Sequence, residues 1–424
     1  MSWRVLTGRV ILPWGILPQG AVAICNGQIA WVGPAEHLAQ QVPEAAGVEP
    51  DPPPQTEDAC WYLAPGFIDL HVHGAAGADF MDGTSEAWAT VLQAHLRHGT
   101  TACCPTTTAA SPPMIKRVLE CCRGWMQQHP PEPLAPGTSD SQQPPVARVL
   151  GLHFYGPYFH PEARGCHPAD PIRPPQPQEY QPLLEQYASC LAIASVAPEL
   201  PGAREFALAC RRHGVRLHLG HTQATWEQVE EAIGWGAAHV DHLYCAMSDK
   251  TKLRRKQCWP MRGGVLEAAL YFDQLTTELI SDGCHLAPEL LRLAYKLKGP
   301  QRLALVTDCN RALEMPEGKY IFGPREEGEP FLHRHGVGLM LDGQALASSA
   351  AGMDRIVRTF WQQTGVPLWQ VVQMASLSPA RMLGWDDRLG SLEPGKWADL
   401  LVLDSELCVR RVYLGGELVW ENRC

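Results

Sequence analysis

His71-Val-His73 sets two imidazoles two residues apart at the end of the apolar run Pro65-Gly-Phe-Ile-Asp-Leu70. A run of that length reads as a buried strand, in which residues two apart share a face, so both rings converge on one point and can grip one metal ion. Such a pair is often just two polar residues at a strand end. Its weight comes from three later apolar runs that also finish on a ligand-type side chain: Arg216-Leu-His-Leu-Gly-His221, His239-Val-Asp-His242 and Arg302-Leu-Ala-Leu-Val-Thr-Asp308. Imidazoles and a carboxylate delivered at the ends of separate strands predict a catalytic divalent cation at the C-terminal mouth of a parallel barrel. The predicted ligand set is His71, His73, His221, His242 and Asp308. The chemistry that follows is metal-assisted hydrolysis: a cation on neutral imidazoles acidifies a water and polarises a carbonyl, while Asp308 takes the water's proton and returns it to the leaving group. The duller roles are a helix N-cap for Asp308 and hydrogen-bonded core histidines for His221 and His242.

Those side chains need a scaffold of strands, and eight candidates occur: Pro65–His73, Thr100–Thr108, Val149–Pro157, Leu191–Glu199, Leu217–Thr222, His239–Ala246, Thr277–Gly283 and Arg302–Asp308. Between them lie segments with helical apolar spacing, including 87–96, Ala203–His213, Trp226–Gly234 and Pro288–Lys298. Strand alternating with helix eight times is the signature of a (β/α)8 TIM barrel, an α/β fold, here expected over residues 63–385. The ends differ: residues 1–62 and 386–424 carry short alternating runs with hairpin signals at Asn26-Gly27 and Gly415-Gly416, and they predict one small β-sandwich domain formed by both chain ends. Pro-rich stretches at 43–57, 128–146 and 168–182 read as connectors or surface loops, because Pro breaks helices and central strands.

Composition narrows the function. A chain of 424 residues can bury a large core, and its formal charge of −10 leaves no basic stripe for a nucleic acid; Lys252-Leu-Arg254-Arg255-Lys256 is the densest basic run and is short. No apolar stretch reaches the length of a membrane span, and the N-terminus lacks a signal core, so a cytoplasmic protein is expected. Fifteen cysteines include the adjacent pairs Cys103-Cys104 and Cys121-Cys122 but no CxxC, which fits reduced, mostly buried thiols. His95, His98 and His213 fall on helical segments and read as packing or surface residues. Glu199 reads equally as a pocket residue or a structural hydrogen-bond acceptor.

The chain resembles the amidohydrolase superfamily and, within it, the N-acetylglucosamine-6-phosphate deacetylases. The resemblance rests on Pro65-Gly-Phe-Ile-Asp-Leu-His-Val-His-Gly74, Gly99-Thr-Thr, Leu152-His-Phe-Tyr-Gly-Pro157, Ala197-Pro-Glu199, Gly220-His-Thr-Gln-Ala-Thr225, His242-Leu-Tyr-Cys-Ala-Met247, Ser281-Asp-Gly-Cys-His285, Val306-Thr-Asp308 and Gly390-Ser-Leu-Glu-Pro-Gly-Lys-Trp-Ala-Asp-Leu400. These span nearly the whole chain. The His-x-His and the Gly-Ser-Leu-Glu-Pro-Gly-Lys element mark the superfamily; Gly-His-Thr-x-Ala-Thr and His-Leu-Tyr-x-Ala-Met are specific to the deacetylases. The resemblance implies cleavage of the acetamido bond of an N-acetylated amino sugar such as N-acetylglucosamine 6-phosphate, a zinc cofactor, a homodimer, and substrate contacts from His285 and from His167 in Arg164-Gly-Cys-His167.

The chain departs from that pattern at the site. Tyr155 stands where the deacetylases place a metal-binding Glu, and a phenol with a pKa of about 10 is a poorer ligand than a carboxylate. It is expected to wall the pocket beside the substrate. Cys245 stands where the family has Asn, and Arg254, Arg255 and Arg262 are the candidates for an anion contact. Other readings are a metal-dependent deaminase, which would use the same His-x-His and Asp308 but has no His-x-x-Glu after His242; a hydantoinase-like binuclear enzyme, which needs a bridging Lys where Ser195-Val-Ala-Pro-Glu199 stands; and a catalytically altered relative, supported by Tyr155 and opposed by the retained histidines and Asp308.

Overall fold

Uninterrupted apolar runs become strands covered on both faces, as parallel sheets require. Phe67–Val72, Thr100–Pro105 and Leu191–Val196 are buried at every residue. The computed structural model describes residues 2–52, 61–132, 144–255 and 260–422. Leu152–Phe154, Leu191–Val196, Arg216–Leu219, Ala237–Val240, Thr276–Leu279 and Leu303–Leu305 pair in chain order as one six-stranded parallel sheet. Phe67–Val72, Thr100–Pro105 and Arg148–Val149 form a three-stranded parallel sheet. Single parallel bridges, Thr106 to His153 and Val72 to Cys309, connect the two sheets.

A strand stands at each of the eight anticipated places, but most end several residues early. The ladder stops where the chain turns into the mouth loops: His221, His242 and Asp308 take positive φ of 47°, 24° and 43°. The third strand is also split, Arg148–Val149 from Leu152–Phe154, at Gly151, where φ is +123° and an added Cβ would lie 2.8 Å from that of Ala192.

The anticipated helices form with recognisable ends. Ser85–Arg97 is capped by Thr84, Trp226–Trp235 opens with a Thr225/Gln228 capping box, and Pro288–Lys298 starts on proline. One expectation fails: within 168–182, the helix Pro177–Tyr187 begins and holds Pro182 inside it. Pro177 sits in the first turn, where a missing N–H is harmless, and Tyr180, Leu184 and Tyr187 bury one face, which outweighs the bond lost at Pro182. Much of the stretch 128–146, and part of 43–57, lie outside the described residues.

Gly318–Phe322, Glu329–Arg334, Val337–Met340 and Leu346–Ser349 form a four-stranded antiparallel sheet that the periodicity did not reveal. The two chain ends meet in one seven-stranded sheet, with Tyr62–Pro65 pairing Leu400–Leu403 on one side and Trp3–Leu12 on the other. Both predicted hairpins are present: Asn26 and Gly27 have φ of 51° and 81°, Gly415 and Gly416 54° and 78°, the doubly left-handed turn that matches strand twist.

Candidate active site

The end of each contributing strand places one or two polar side chains in a common mouth. His71 and His73 come from the end of Phe67–Val72, His153 and Tyr155 from the third strand, His221 and His242 from just beyond Arg216–Leu219 and Ala237–Val240, and Asp308 from beyond Leu303–Leu305. Left-handed backbone at three non-glycine residues is uncommon and strained, and such positions concentrate at functional sites. Gly220 makes the turn into His221 feasible, since a Cβ there would collide with Asp241 Oδ2.

The hydrogen bonds fix the histidine tautomers. Nδ1 of His73 lies 3.2 Å from the Thr106 carbonyl and so donates, leaving a lone pair on Nε2, which lies 3.2 Å from Asp308 Oδ1. Nδ1 of His71 lies 2.6 Å from Glu278, and its Nε2 is buried without a hydrogen-bond partner, 3.7 Å from the same Asp308 oxygen. Two imidazole lone pairs facing a carboxylate repel unless a cation or protons lie between them. His71, His73 and Asp308 therefore fit a divalent cation in both ligand type and placement, their ligand atoms all within 4.8 Å of one another.

His221 and His242 join this set from the side. Nδ1 of His221 donates to the Ala163 carbonyl at 2.7 Å, so its Nε2 carries a lone pair, and that atom faces Nε2 of His242 at 3.2 Å. The hydroxyl of Tyr155 contacts the same His242 nitrogen, and Nδ1 of His242 is buried without a partner. Tyr155 is thus more than a wall. Its ring packs against His71, His153, His221 and Phe159, and its oxygen sits among the ligand-type nitrogens.

Electrostatics divide the rings: burial would lower His71, but the charges of Glu278 and Asp308 outweigh it and raise that ring to about 9. Burial, reinforced by His242, pulls His221 down to about 3, and burial likewise lowers His242 and His167. Burial pushes the Tyr155 phenol well above its ordinary value. Burial would raise Asp308, but its closeness to His71 and His73 outweighs it and holds the acid at about 2. Ser348 also donates to Asp308 Oδ1, at 3.1 Å, while Oδ2 accepts no hydrogen bond among the described residues.

A 540 Å³ cavity opens on these groups, with His73, Tyr155, His167, His221, His242, Cys245, His285, Asp308, Phe322 and Ser348 in its wall. His167 accepts from Ala109 N at Nδ1, so its Nε2–H is left to donate. His285 is held by Asp282 at 2.8 Å through Nδ1. Cys245 lies in the wall as placed by its motif. Arg262 does not: its guanidinium pairs with Glu227 at 3.1 Å on the exposed side, and the cations in the wall are Lys252 and Arg255. Glu199 accepts from Thr222 and the Gln223 N–H, a local brace. Phe322 and Ser348 arrive on the unforeseen four-stranded sheet, and no sequence signal marked them. Glu278 and Asp241 also escaped notice; both are completely buried acids, one within Thr276–Leu279 and one just past Ala237–Val240.

A family model for the Amidohydrolase family matches residues 62–132 and 192–419. The chain belongs to the amidohydrolase family. It is 34% identical over 378 residues, 88% of this chain and 92% of the relative, to an N-acetylgalactosamine-6-phosphate deacetylase of Escherichia coli O157:H7. It is 34% identical over 370 residues, 85% of this chain and 83% of the relative, to the N-acetylglucosamine-6-phosphate deacetylase of Homo sapiens. The structure is similar to a mutant N-acetyl-D-glucosamine-6-phosphate deacetylase from Mycobacterium smegmatis in complex with N-acetyl-D-glucosamine-6-phosphate, with a TM-score of 0.82, 27% identity and coverage of 99% of this chain and 100% of that one.

Proposed function

We propose that this chain is a metal-dependent deacetylase of N-acetylated amino sugar 6-phosphates. The observation that carries the site reading is the pair of imidazole lone pairs, on His71 and His73, turned toward the Asp308 carboxylate at the floor of the cavity. His71, His73 and Asp308 would hold the ion, and His221 and His242 are the further ligands available beside them. Zinc suits a site of imidazoles and one carboxylate. Bound there, a divalent cation supplies an acidified water and a polarised acetyl carbonyl.

The chain's own residues do the rest. Asp308 takes a proton from water at Oδ2 as the water oxygen adds to the acetyl carbon. When the carbon–nitrogen bond breaks, Asp308 returns that proton to nitrogen, and acetate and the free amino sugar phosphate leave. His167, through Nε2–H, and His285 orient the substrate, with Tyr155 and Cys245 shaping the wall. Lys252 and Arg255 replace Arg262 as the cations available to the phosphate.

The same reading extends to the scaffold. The two parallel sheets, bridged at Thr106/His153 and Val72/Cys309, close as a (β/α)8 barrel over 63–385. Residues 1–62 and 386–424 form a β-sandwich by curling their one sheet, since Leu6, Val22 and Ile29 share a core with Leu400, Val402 and Tyr413. A cytoplasmic homodimer completes the proposal; no helix among the described residues is long and apolar enough to cross a membrane.

The test pairs elemental analysis of the purified protein with amine release from N-acetylglucosamine 6-phosphate, N-acetylgalactosamine 6-phosphate and the two unphosphorylated sugars. Turnover of a phosphorylated sugar by metal-loaded protein is the expected result. Loaded protein that releases amine from none of the four sinks the proposal, and the contact between Tyr155 and His242 then favours a catalytically altered relative.

A further inference from the structure

Beneath the mouth lies a layer of buried charge that the hydrolytic scheme leaves unused. Glu278 and Asp241 are completely buried, and the rings of His153, His218 and His239 around them are nearly so. Two carboxylates in the interior are costly unless each is paired and hydrogen-bonded. Here both are paired. Asp241 meets His218 Nδ1 at 2.9 Å and accepts from Ser195 Oγ at 2.5 Å, and Ser195 in turn meets His153 Nε2 at 2.7 Å. Glu278 Oε2 meets His239 Nε2 at 3.3 Å.

The other oxygen of Glu278 reaches upward. Oε1 accepts from Nδ1 of His71 at 2.6 Å and from the backbone N–H of His242 at 3.1 Å, so one atom touches two of the strands that carry proposed ligands. An imidazole whose Nδ1–H is held by a carboxylate keeps its lone pair on Nε2, with the ring orientation fixed and the nitrogen more basic. In His71 that Nε2 is the buried atom without a partner. The lower layer also holds two groups spaced for a cation, His153/His218/Asp241 and His239/Asp241/Glu278, but its side chains already hydrogen-bond one another, the Leu70 carbonyl and Thr276, and it reads as support.

We infer that Glu278 is a positioning residue of the centre: it fixes His71 with Nε2 toward the cation and tethers the His242 turn through the same oxygen. The inference rests on the metal reading above but not on the identity of the substrate. His239 holds Glu278 in turn.

The experiment titrates Zn²⁺ into metal-free protein against a competing chelator, for wild type, Glu278→Ala, Glu278→Gln and the same changes made in His71→Asn protein. Glu278→Ala is expected to weaken Zn²⁺ binding by about 10- to 100-fold. Glu278→Gln is expected to lose less, because its amide oxygen still accepts from His71. In the His71→Asn background both losses shrink sharply, since the two residues act through one another. A purely structural role would give the same loss in both backgrounds and overturns the inference, as does wild-type affinity in both Glu278 variants. Should Glu278→Ala fail to fold, the Gln comparison across backgrounds decides alone. Wild type that takes up no Zn²⁺ overturns the metal reading and this inference together; wild type that binds it regardless of Glu278 overturns this inference only.

Discussion

At the scale of single residues, the contact that most sets the character of the mouth is made by Tyr155. Tyr155 puts a neutral phenol, held neutral by burial, against His242 where a carboxylate would carry charge. Tyr155→Glu is expected to raise Zn²⁺ affinity at least about tenfold, as an acid in that place faces neutral imidazoles and would ligate; unchanged affinity in a chelator competition would count against the arrangement. Among the described residues, Asp308 is the acid whose free oxygen meets the cavity beside His71 and His73, so Asp308→Asn should cut kcat by about 10²- to 10⁴-fold, the usual worth of a general acid–base group. Single-turnover kinetics on metal-loaded variant separate that loss from a loss of metal. The ligand-type residues were legible because each ends an apolar run. Arg262 pairs with Glu227 on the exposed side, a direction that a basic residue near a motif does not reveal.

At the scale of elements, the helix Ser85–Arg97 is tied to the helix Met353–Thr364 by His98 at its C-terminal cap. Nδ1 of His98 lies 3.0 Å from Asp354, and Nε2 lies 3.2 Å from Glu314. Burial would lower this histidine, but the hydrogen bond with Asp354 and the adjacent Glu314 carboxylate outweigh it and raise it to about 9. The folded state therefore binds the proton more tightly than the unfolded chain, where histidine titrates near about 6.5. The stabilisation is complete below that value and is lost as pH rises through the folded value. Asp354→Asn should lower the melting temperature at pH 6 and matter progressively less above pH 9; an equal shift at both pH values would refute the clamp. The helices at 87–96, 203–213, 226–234 and 288–298 were legible from their apolar spacing, whereas the caps on Thr84 and Thr225 came only with the structure. The four-stranded sheet at 318–349 was not, because its half-exposed strands mix polar and apolar residues without a clean period.

At the scale of the whole molecule, a largely buried ion pair bolts the sheet made by the chain ends to the parallel strands. Arg148, on the third strand, meets Asp399 through Nε at 2.6 Å and a terminal nitrogen at 3.0 Å, with its guanidinium 5.2 Å from the Trp397 ring. Asp399 also accepts from the Gly415 N–H at 2.7 Å, at the tip of the last hairpin. Removing one member strands a buried charge, so Asp399→Ala is expected to lower unfolding free energy by about 3–5 kcal/mol in denaturant titration. A loss below about 1 kcal/mol, the worth of an exposed pair, would show the junction to be solvated.

The sequence by itself determined the alternation of strand and helix, the two glycine hairpins, and the identity of the residues that end each strand. Those are local properties, set by side-chain period, turn conformation and capping. Only the tertiary structure decided which strand ends face one another, that Glu278 lies under His71, and that the Tyr155 hydroxyl falls on His242. Those depend on the register and twist of strands far apart in the chain, which no local pattern encodes.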